Sequence, residues 1–451
     1  MQQERHQVVM TEGNIRTQML RFALPIFVGH FFQQLYNTVD SLIVGNLLGP
    51  EALASVTSTA AYVYLMTGFF MGFSQGAGVV IARHVGARDE GAVRQAEHTA
   101  VALGLVSSAL ITLLGVTLSP TVLRLMGTPD NVFDQSSAYL CVYFSGAGFL
   151  VMYNMFVAIL QAAGDSTHPL MYLIISSLLN IVLDYFFVGA LKMGVEGAAL
   201  ATVICEAVSM LLSMIRLMRM RGALRLSLRE IRLHANHARR ILRYGLPTAM
   251  QMGIIDLSNM LVQSYINSFG SAAMAGIGAS SRVEGFTFLP IMAFSMGLTT
   301  FVSQNLGARR KDRIREGIRF GVVCTTVVIG LIGGLTFLFA PRLVGLFSGD
   351  PEIIRYGTGR MRTCALFFVL VGFTHIASAI VRGLGRPMNP MVVTLVCWCL
   401  VRVVVLFTIG QVVHDIRLIY WIYPVTWSLS TIYYIFYLRR LYRGELRQDA
   451  A

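Results

Sequence analysis

Residues 20–25 read Leu-Arg-Phe-Ala-Leu-Pro and residues 242–247 read Leu-Arg-Tyr-Gly-Leu-Pro, so the 451-residue chain restarts close to its midpoint. The match continues at nearly constant spacing: Ser74, Gly76, Gly86, Ala87 and Arg88 recur as Ser295, Gly297, Gly307, Ala308 and Arg309, and Pro169 recurs as Pro390. The polar residues of the first copy do not recur. Asp40, Asn180 and Asp184 interrupt apolar runs there, and the equivalent positions of the second copy hold Val262, Val401 and Val405. The copies share a framework but not their ionisable groups.

Composition places that framework in a membrane. The chain is 55% hydrophobic and 13% charged, against about 25% charged residues in a soluble domain. Twelve apolar runs, beginning near residues 16, 53, 94, 132, 168, 194, 241, 277, 315, 352, 389 and 416, are each long enough to cross about 30 Å of hydrocarbon as a helix. The expected fold is an all-α integral membrane protein. It has an N-terminal lobe over 1–218 (spans 1–6), a cytoplasmic linker over 219–240, a C-terminal lobe over 241–440 (spans 7–12) and a tail over 441–451.

Arginines set the orientation, because short loops rich in Lys and Arg stay cytoplasmic. Arg83, Arg88 and Arg94 follow span 2, nine arginines from Arg216 to Arg243 follow span 6, and Arg309, Arg310, Lys311, Arg313, Arg315 and Arg319 follow span 8. Loops 46–53 and 268–277 carry none, and Arg439, Arg440, Arg443 and Arg447 close the chain. Both termini are therefore expected in the cytoplasm, with the first span a retained signal anchor. The net charge of +13 fits this topology and anionic inner-leaflet lipid better than nucleic acid, which is not expected as a partner.

Other residue classes read as packing. The six cysteines, Cys141, Cys205, Cys324, Cys364, Cys397 and Cys399, lie in apolar runs without C-x-x-C spacing, which argues against redox or metal roles. Gly68, Gly72 and Gly76 make two overlapping small-xxx-small steps, a face for close helix contact. No His-Glu-x-x-His or nucleophile pattern appears, so no enzyme and no organic cofactor is expected.

Six spans separate the copies, an even number, so both cross the membrane in the same sense as parallel repeats about an axis along its normal. That arrangement suits a cavity between two lobes and alternating access. A channel would need a filter segment, which is absent from the reading.

Intramembrane acids carry the chemistry, since a carboxylate at mid-bilayer costs about 2.5 to 3.5 kcal/mol on the insertion scale. Gln33, Asn37 and Asp40 share one helical face at i, i+4 and i+7, and Asn180 and Asp184 share another at i and i+4. Interhelical packing is the alternative reading, most readily for neutral Asn180. If Asp40 and Asp184 meet, both cannot ionise cheaply and the pair would share a proton. Two carboxylates and Asn180 would equally suit sodium, a hard cation that prefers oxygen ligands. The coupling ion is thus H+ or Na+, with Asp40, Asn180 and Asp184 its candidate ligands.

These residues carry a resemblance. The Leu-Pro of span 1, the Asn180-x-x-x-Asp184 of span 5, the Gly-Ala-Arg after spans 2 and 8 and the Gly197-Ala-Ala-Leu-Ala-Thr202 of span 6 resemble the multidrug and toxic compound extrusion (MATE) family. The DinF-type branch of that wider flippase superfamily is the nearest match. The similarity covers essentially the whole chain. It implies a drug/cation antiporter with a V-shaped pair of lobes, and a first-lobe cation site of Asp40, Tyr139, Asn180, Asp184 and Thr202. Pro25 matches the span 1 proline, where protonation-linked bending or a fixed kink are both open.

The second lobe departs from the pattern. Where other branches place a span 7 glutamate and a span 10 aspartate, this chain offers Asp256 and His375. Asp256, Asn259 and Gln263 form a stripe at i, i+3 and i+7 that would line the same cavity as Gln33 and Asn37, with Asp256 binding cationic drugs or pairing with an arginine. Arg402, deep in span 11, calls for an acidic partner, and Glu284 and Arg282, two apart, do not face each other, so longer-range pairing with Arg402 or Glu206 is open. His375 reads as a hydrogen-bonded core histidine or a proton relay.

The expectation is a monomeric multi-pass transporter of a bacterial or archaeal plasma (inner) membrane, in contact with membrane lipids. It would export small-molecule drugs or organic cations, whose flat faces suit aromatic and methionine walls. The alternatives are a flippase for lipid-linked saccharide, which would need intramembrane basic residues beyond Arg360, Arg362 and Arg402, and a membrane-embedded enzyme.

Overall fold

The computed structural model describes residues 10–444, apart from the side chains of 41, 42, 50, 53, 54 and 57. Arg447 and the rest of the expected tail lie outside the described residues. The described chain forms twelve helical rods: α1 Ile15–Leu48, α2 Pro50–Gly86, α3 Glu90–Leu125, α4 Asp130–Ala162, α5 Thr167–Asp184, α6 Val195–Arg219, α7 Ala235–Asn267, α8 Ser271–Gly307 and α9 Lys311–Gly345, then α10 in two limbs, Pro351–Ala365 and Phe368–Gly383, α11 Met388–Val412 and α12 Arg417–Arg443. The helices begin within a few residues of the hydropathy expectation. Eight of them, or nine with the bent α10 counted as one span, carry a stretch apolar enough to cross a bilayer. Among the described residues α1, α7 and α12 carry no such stretch, and α1 and α7 each carry one of the polar stripes.

The duplication is visible in backbone detail. Arg88 and Arg309 both take left-handed conformations, with φ of 55° and 57°. Each amide caps the preceding helix, Arg88 N–H donating to Val85 O and Arg309 N–H to Leu306 O. A non-glycine residue in this region costs roughly 1 to 2 kcal/mol, and the same solution recurs at both turns. Pro169 and Pro390 each occupy the third position of their helices, where a missing N–H is not needed. The copies differ elsewhere. α4 is continuous, whereas α10 bends by 56° between its limbs. A π-helical segment follows Asp184 at Tyr185–Ala190, and another lies at Thr394–Leu400 within α11.

The molecule comprises two compact units, Leu24–Gly253 and Met10–Ala23 with Ile254 onward. Their boundaries therefore fall inside α1 and α7, beside Pro25 and just beyond Pro247, rather than in the expected 219–240 connection. The reason is local packing: the first part of each repeat's opening helix is built into the other repeat's unit.

In the first unit, the segment before α7 is fastened to α3. Ser227 N–H donates to His98 Nε2 (3.1 Å), His234 N–H to Thr99 Oγ1 (3.3 Å), and Arg94 grips the Glu230 carboxylate with Nε and Nη2. That contact holds the exposed Glu230 carboxyl below its usual range. α7 then lies directly on α2. A Cβ at Gly76 would come within 2.3 Å of Gly245 Cα, and one at Gly72 within 2.7 Å of Ala249 Cα, so this glycine face brings two backbones together. Gly76→Val is expected to cost about 1 to 3 kcal/mol through overpacking. Gly297→Ala, whose Cβ would meet the Phe22 ring at 3.4 Å and Ala23 Cβ at 3.7 Å, both ordinary contacts, should be neutral or slightly stabilising. Thermal unfolding of the two purified variants checks the contrast.

The second unit is fastened by one side chain. Arg313, in the first turn of α9, donates to the carbonyls of Gly13 (2.8 Å), Met10 (3.1 Å) and Glu12 (3.1 Å), to Gln18 Oε1 (3.0 Å) and to Asn305 Oδ1 (3.2 Å). A rigid five-donor guanidinium suits such a fan of acceptors.

α5 is anchored to α6 by a buried acid outside the spans. Asp165, 0% exposed, accepts from His168 N–H and adjoins the His168 ring and Arg216 Nη2 (3.2 Å). Burial alone would push this carboxyl up, but His168 and Arg216 outweigh it and hold it below its usual range. A depressed folded value stabilises the fold above the unfolded carboxyl value of about 3.9 and loses that contribution as pH falls through the folded value. Asp165→Asn is thus expected to lower the unfolding temperature at pH 7, with the gap from wild type closing below about pH 4. Unfolding scans across pH measure it.

Candidate functional site

The first unit gathers the expected cation-site residues from four helices. Asp40 lies on α1, Tyr139 on α4, Asn180 and Asp184 on α5 and Thr202 on α6. Asn180 is 1% exposed and Asp184 0%. The Asp40 and Asp184 carboxyls adjoin, yet neither oxygen of Asp184 nor Oδ1 of Asp40 makes a hydrogen bond, and the same holds for both polar atoms of the Asn180 amide. Unsatisfied polar groups at such depth cost about 1 to 3 kcal/mol each. Thr202 Oγ1 bonds back to Ala198 O (3.1 Å), leaving an oxygen free to accept. Tyr139 stacks on Tyr143 at 6.1 Å within electrostatic reach of Asp40 and Asp184.

Beside the pair is a small cavity of about 40 Å³, room for a few water molecules, lined by Gln33, Tyr36, Tyr153, Asn180, Thr202 and Glu206, among others. Asp184 terminates α5 where the helix widens into its π turn, a feature frequent at functional positions. Gln33 is among the lining residues, and Asn37 lies one turn further along α1. Glu206 was legible in the sequence only as a charge in need of a partner.

The α7 stripe belongs to the second unit. There Asn259 Oδ1 accepts from Arg402 (3.4 Å) and Gln263 Nε2 donates to Asn267 Oδ1 (2.9 Å), while Asp256 is half-buried on the same helix. The expected Glu284–Arg402 pairing is not formed. Glu284 binds Arg360 instead, at 2.6 Å, with Ser280 Oγ accepting from the other guanidinium nitrogen at 2.8 Å. The terminal nitrogens of Arg402 meet neutral groups, the Ser258 and Thr426 hydroxyls and Asn259, and its guanidinium lies over the faces of Tyr423 (4.6 Å) and Trp398 (5.4 Å), while its buried Nε makes no hydrogen bond. Aromatic faces and hydroxyls stand in for a counter-ion when they meet a guanidinium squarely. His375 packs its ring against Phe288 and Trp398, in keeping with a core histidine. Among the described residues no group of three His, Cys, Asp or Glu side chains is arranged for a metal ion.

A duplicated twelve-helix fold with unpaired acids sunk in apolar helices defines a membrane transporter. The MatE family pattern matches residues 25–186 and, once more, 247–408. The chain belongs to this family, the MATE transporters that its motifs resemble. It is 27% identical over 423 residues, 92% of its length and 91% of the relative's, to the probable multidrug resistance protein YoeA of Bacillus subtilis (strain 168). It is 28% identical over 392 residues (87% and 88%) to the probable multidrug resistance protein YpnP of the same organism. The fold matches an outward-facing multidrug resistance MATE family transporter of the MOP superfamily with a TM-score of 0.89 at 23% identity, covering 96% of this chain and 97% of that one.

Proposed function

We propose that the protein is a secondary active exporter that exchanges organic cations or amphiphilic drugs for protons, or sodium, by alternating access of a V-shaped pair of lobes. The observation that carries this reading is the juxtaposition, within one unit, of an unsatisfied Asp40/Asp184 pair and a small polar cavity lined by Asn180, Thr202 and Glu206. A shared proton relieves like-charge repulsion in the pair, and its loss favours a cation nearby. Multidrug names among the relatives support the substrate class. The saccharide-flippase alternative calls for basic groups, and no Lys or Arg is among the cavity's lining residues.

In this reading Asp40, Asn180, Asp184, Tyr139 and Thr202 hold the coupling ion, and Asp256 serves the drug-binding wall of the second lobe. Both termini face the cytoplasm of a plasma membrane, and the monomer is the working unit. One pH unit supplies about 1.4 kcal/mol per proton, enough for a tenfold drug gradient per proton exchanged. Reconstitution in liposomes with separately imposed pH and sodium gradients tests it. Ethidium should accumulate with one of the gradients. Movement with neither refutes the reading.

A further inference from the structure

The two repeats fasten the segment ahead of their opening helix by different chemistry. In the second unit, Arg313 of α9 collects the carbonyls of Met10, Glu12 and Gly13 ahead of α1. In the first, α3, the counterpart of α9, holds residues 227–234 ahead of α7 through His98, Thr99 and Arg94. Residue 98 corresponds to Arg319 in the second repeat, so the duplicated framework does not call for a histidine here. A guanidinium keeps its charge at any physiological pH, whereas imidazole is the side chain that changes charge between about pH 5 and 8.

The contacts of His98, whose side chain is 1% exposed, define its protonation. Nδ1 lies 2.7 Å from the Arg94 carbonyl, which can only accept, so Nδ1 carries a hydrogen and donates it. Nε2 accepts the Ser227 N–H at 3.1 Å, so it carries none. A proton taken from water onto Nε2 sets one N–H against another and breaks that tie. A new partner is at hand, because Glu230 Oε2 lies 3.9 Å from the same nitrogen. The other charged and titratable groups at this joint are Arg94 and Glu97 on α3, and Arg232 and His234 on the segment. The Arg232 carbonyl and His234 Nδ1 lie 3.4 Å and 3.2 Å from Thr99 Oγ1. We propose that His98 is a pH sensor: neutral, it holds the Ser227 end of the segment on α3; protonated at Nε2, it exchanges the Ser227 amide for the Glu230 carboxylate and lets that end go. With the orientation proposed above, the pH it reads is that of the cytoplasm, and the test does not depend on the side.

The test is hydrogen exchange of the full-length protein in detergent, read by mass spectrometry as protection factors so that the intrinsic pH dependence divides out. Between about pH 8 and about pH 5.5 the peptide containing Ser227 should lose protection by about tenfold or more, while Met10–Gln18, held by Arg313, stays flat. His98→Gln, which cannot take up a proton, should remove the loss. Glu230→Gln takes away the carboxylate that favours the charged ring, so the midpoint should move to lower pH. No loss in wild type, an equal loss at Met10–Gln18, or a loss retained in His98→Gln overturns the proposal. Where His98→Gln does not fold, the wild-type profile and the Glu230→Gln midpoint decide it, and an unmoved midpoint overturns the exchange of partners.

Discussion

Asp184→Asn is expected to abolish gradient-driven export. With one pH unit imposed, wild-type liposomes should build up to a tenfold ethidium ratio per proton exchanged, and the variant should stay near unity. An amide keeps the volume and the hydrogen-bonding atoms of the buried side chain but cannot carry a proton. Asp184 is 0% exposed and both of its oxygens lack partners, so its charged form has no hydrogen-bond donor to stabilise it. Asp40→Asn should give the same loss, and the double variant should be no worse than either single one, because two groups that act as a unit are non-additive. Full coupled transport in Asp184→Asn would refute the assignment. A sodium-driven wild type in which the same variant lost sodium dependence would keep the residues and change the ion.

Glu284→Gln is expected to have the largest effect on stability. It leaves Arg360 buried with Ser280 Oγ, the Tyr423 ring and a neutral amide in place of its carboxylate. Breaking one partner of a buried pair costs about 3 to 5 kcal/mol, which for a domain of this size lowers the unfolding temperature by roughly 6 to 20 °C. Replacing both, as Glu284→Leu with Arg360→Met, should recover most of the loss, since an apolar pair of similar volume avoids the desolvation cost. Arg402→Met should cost less, because the groups it abandons are hydroxyls with second partners: Ser258 Oγ also donates to Trp398 O and Thr426 Oγ1 to Tyr423 O. Unfolding curves of the four proteins in one detergent decide the order.

The repeat, the helix starts and the Asp40/Asn180/Asp184 cluster were legible because each is a one-dimensional signal: a recurring string, an apolar run, a polar residue inside it. What was not legible depends on which helices cross. Arg402 and Arg360 are both buried arginines, and only the packing of α8 against α10 decides which one meets Glu284. The bend of α10 falls at Leu366 and Phe367, with no proline or glycine to announce it. Glu206 carried a usable signal, since comparison with Trp427, the corresponding position of the second repeat, marks it as an acid that the duplicated framework does not need. Hydropathy also finds α1 and α7 as segments, and it cannot see that each is shared between units.

That sharing reaches into biosynthesis. The first unit needs Gly245 and Ala249 against α2, and Ser227 and His234 against α3, so it is incomplete until about residue 253 has left the ribosome. Met10 to Gln18, made some 300 residues earlier, must wait for Arg313. Translation order and folding order therefore diverge, and a chain cut between the repeats would yield two fragments that each lack a piece only the other can supply.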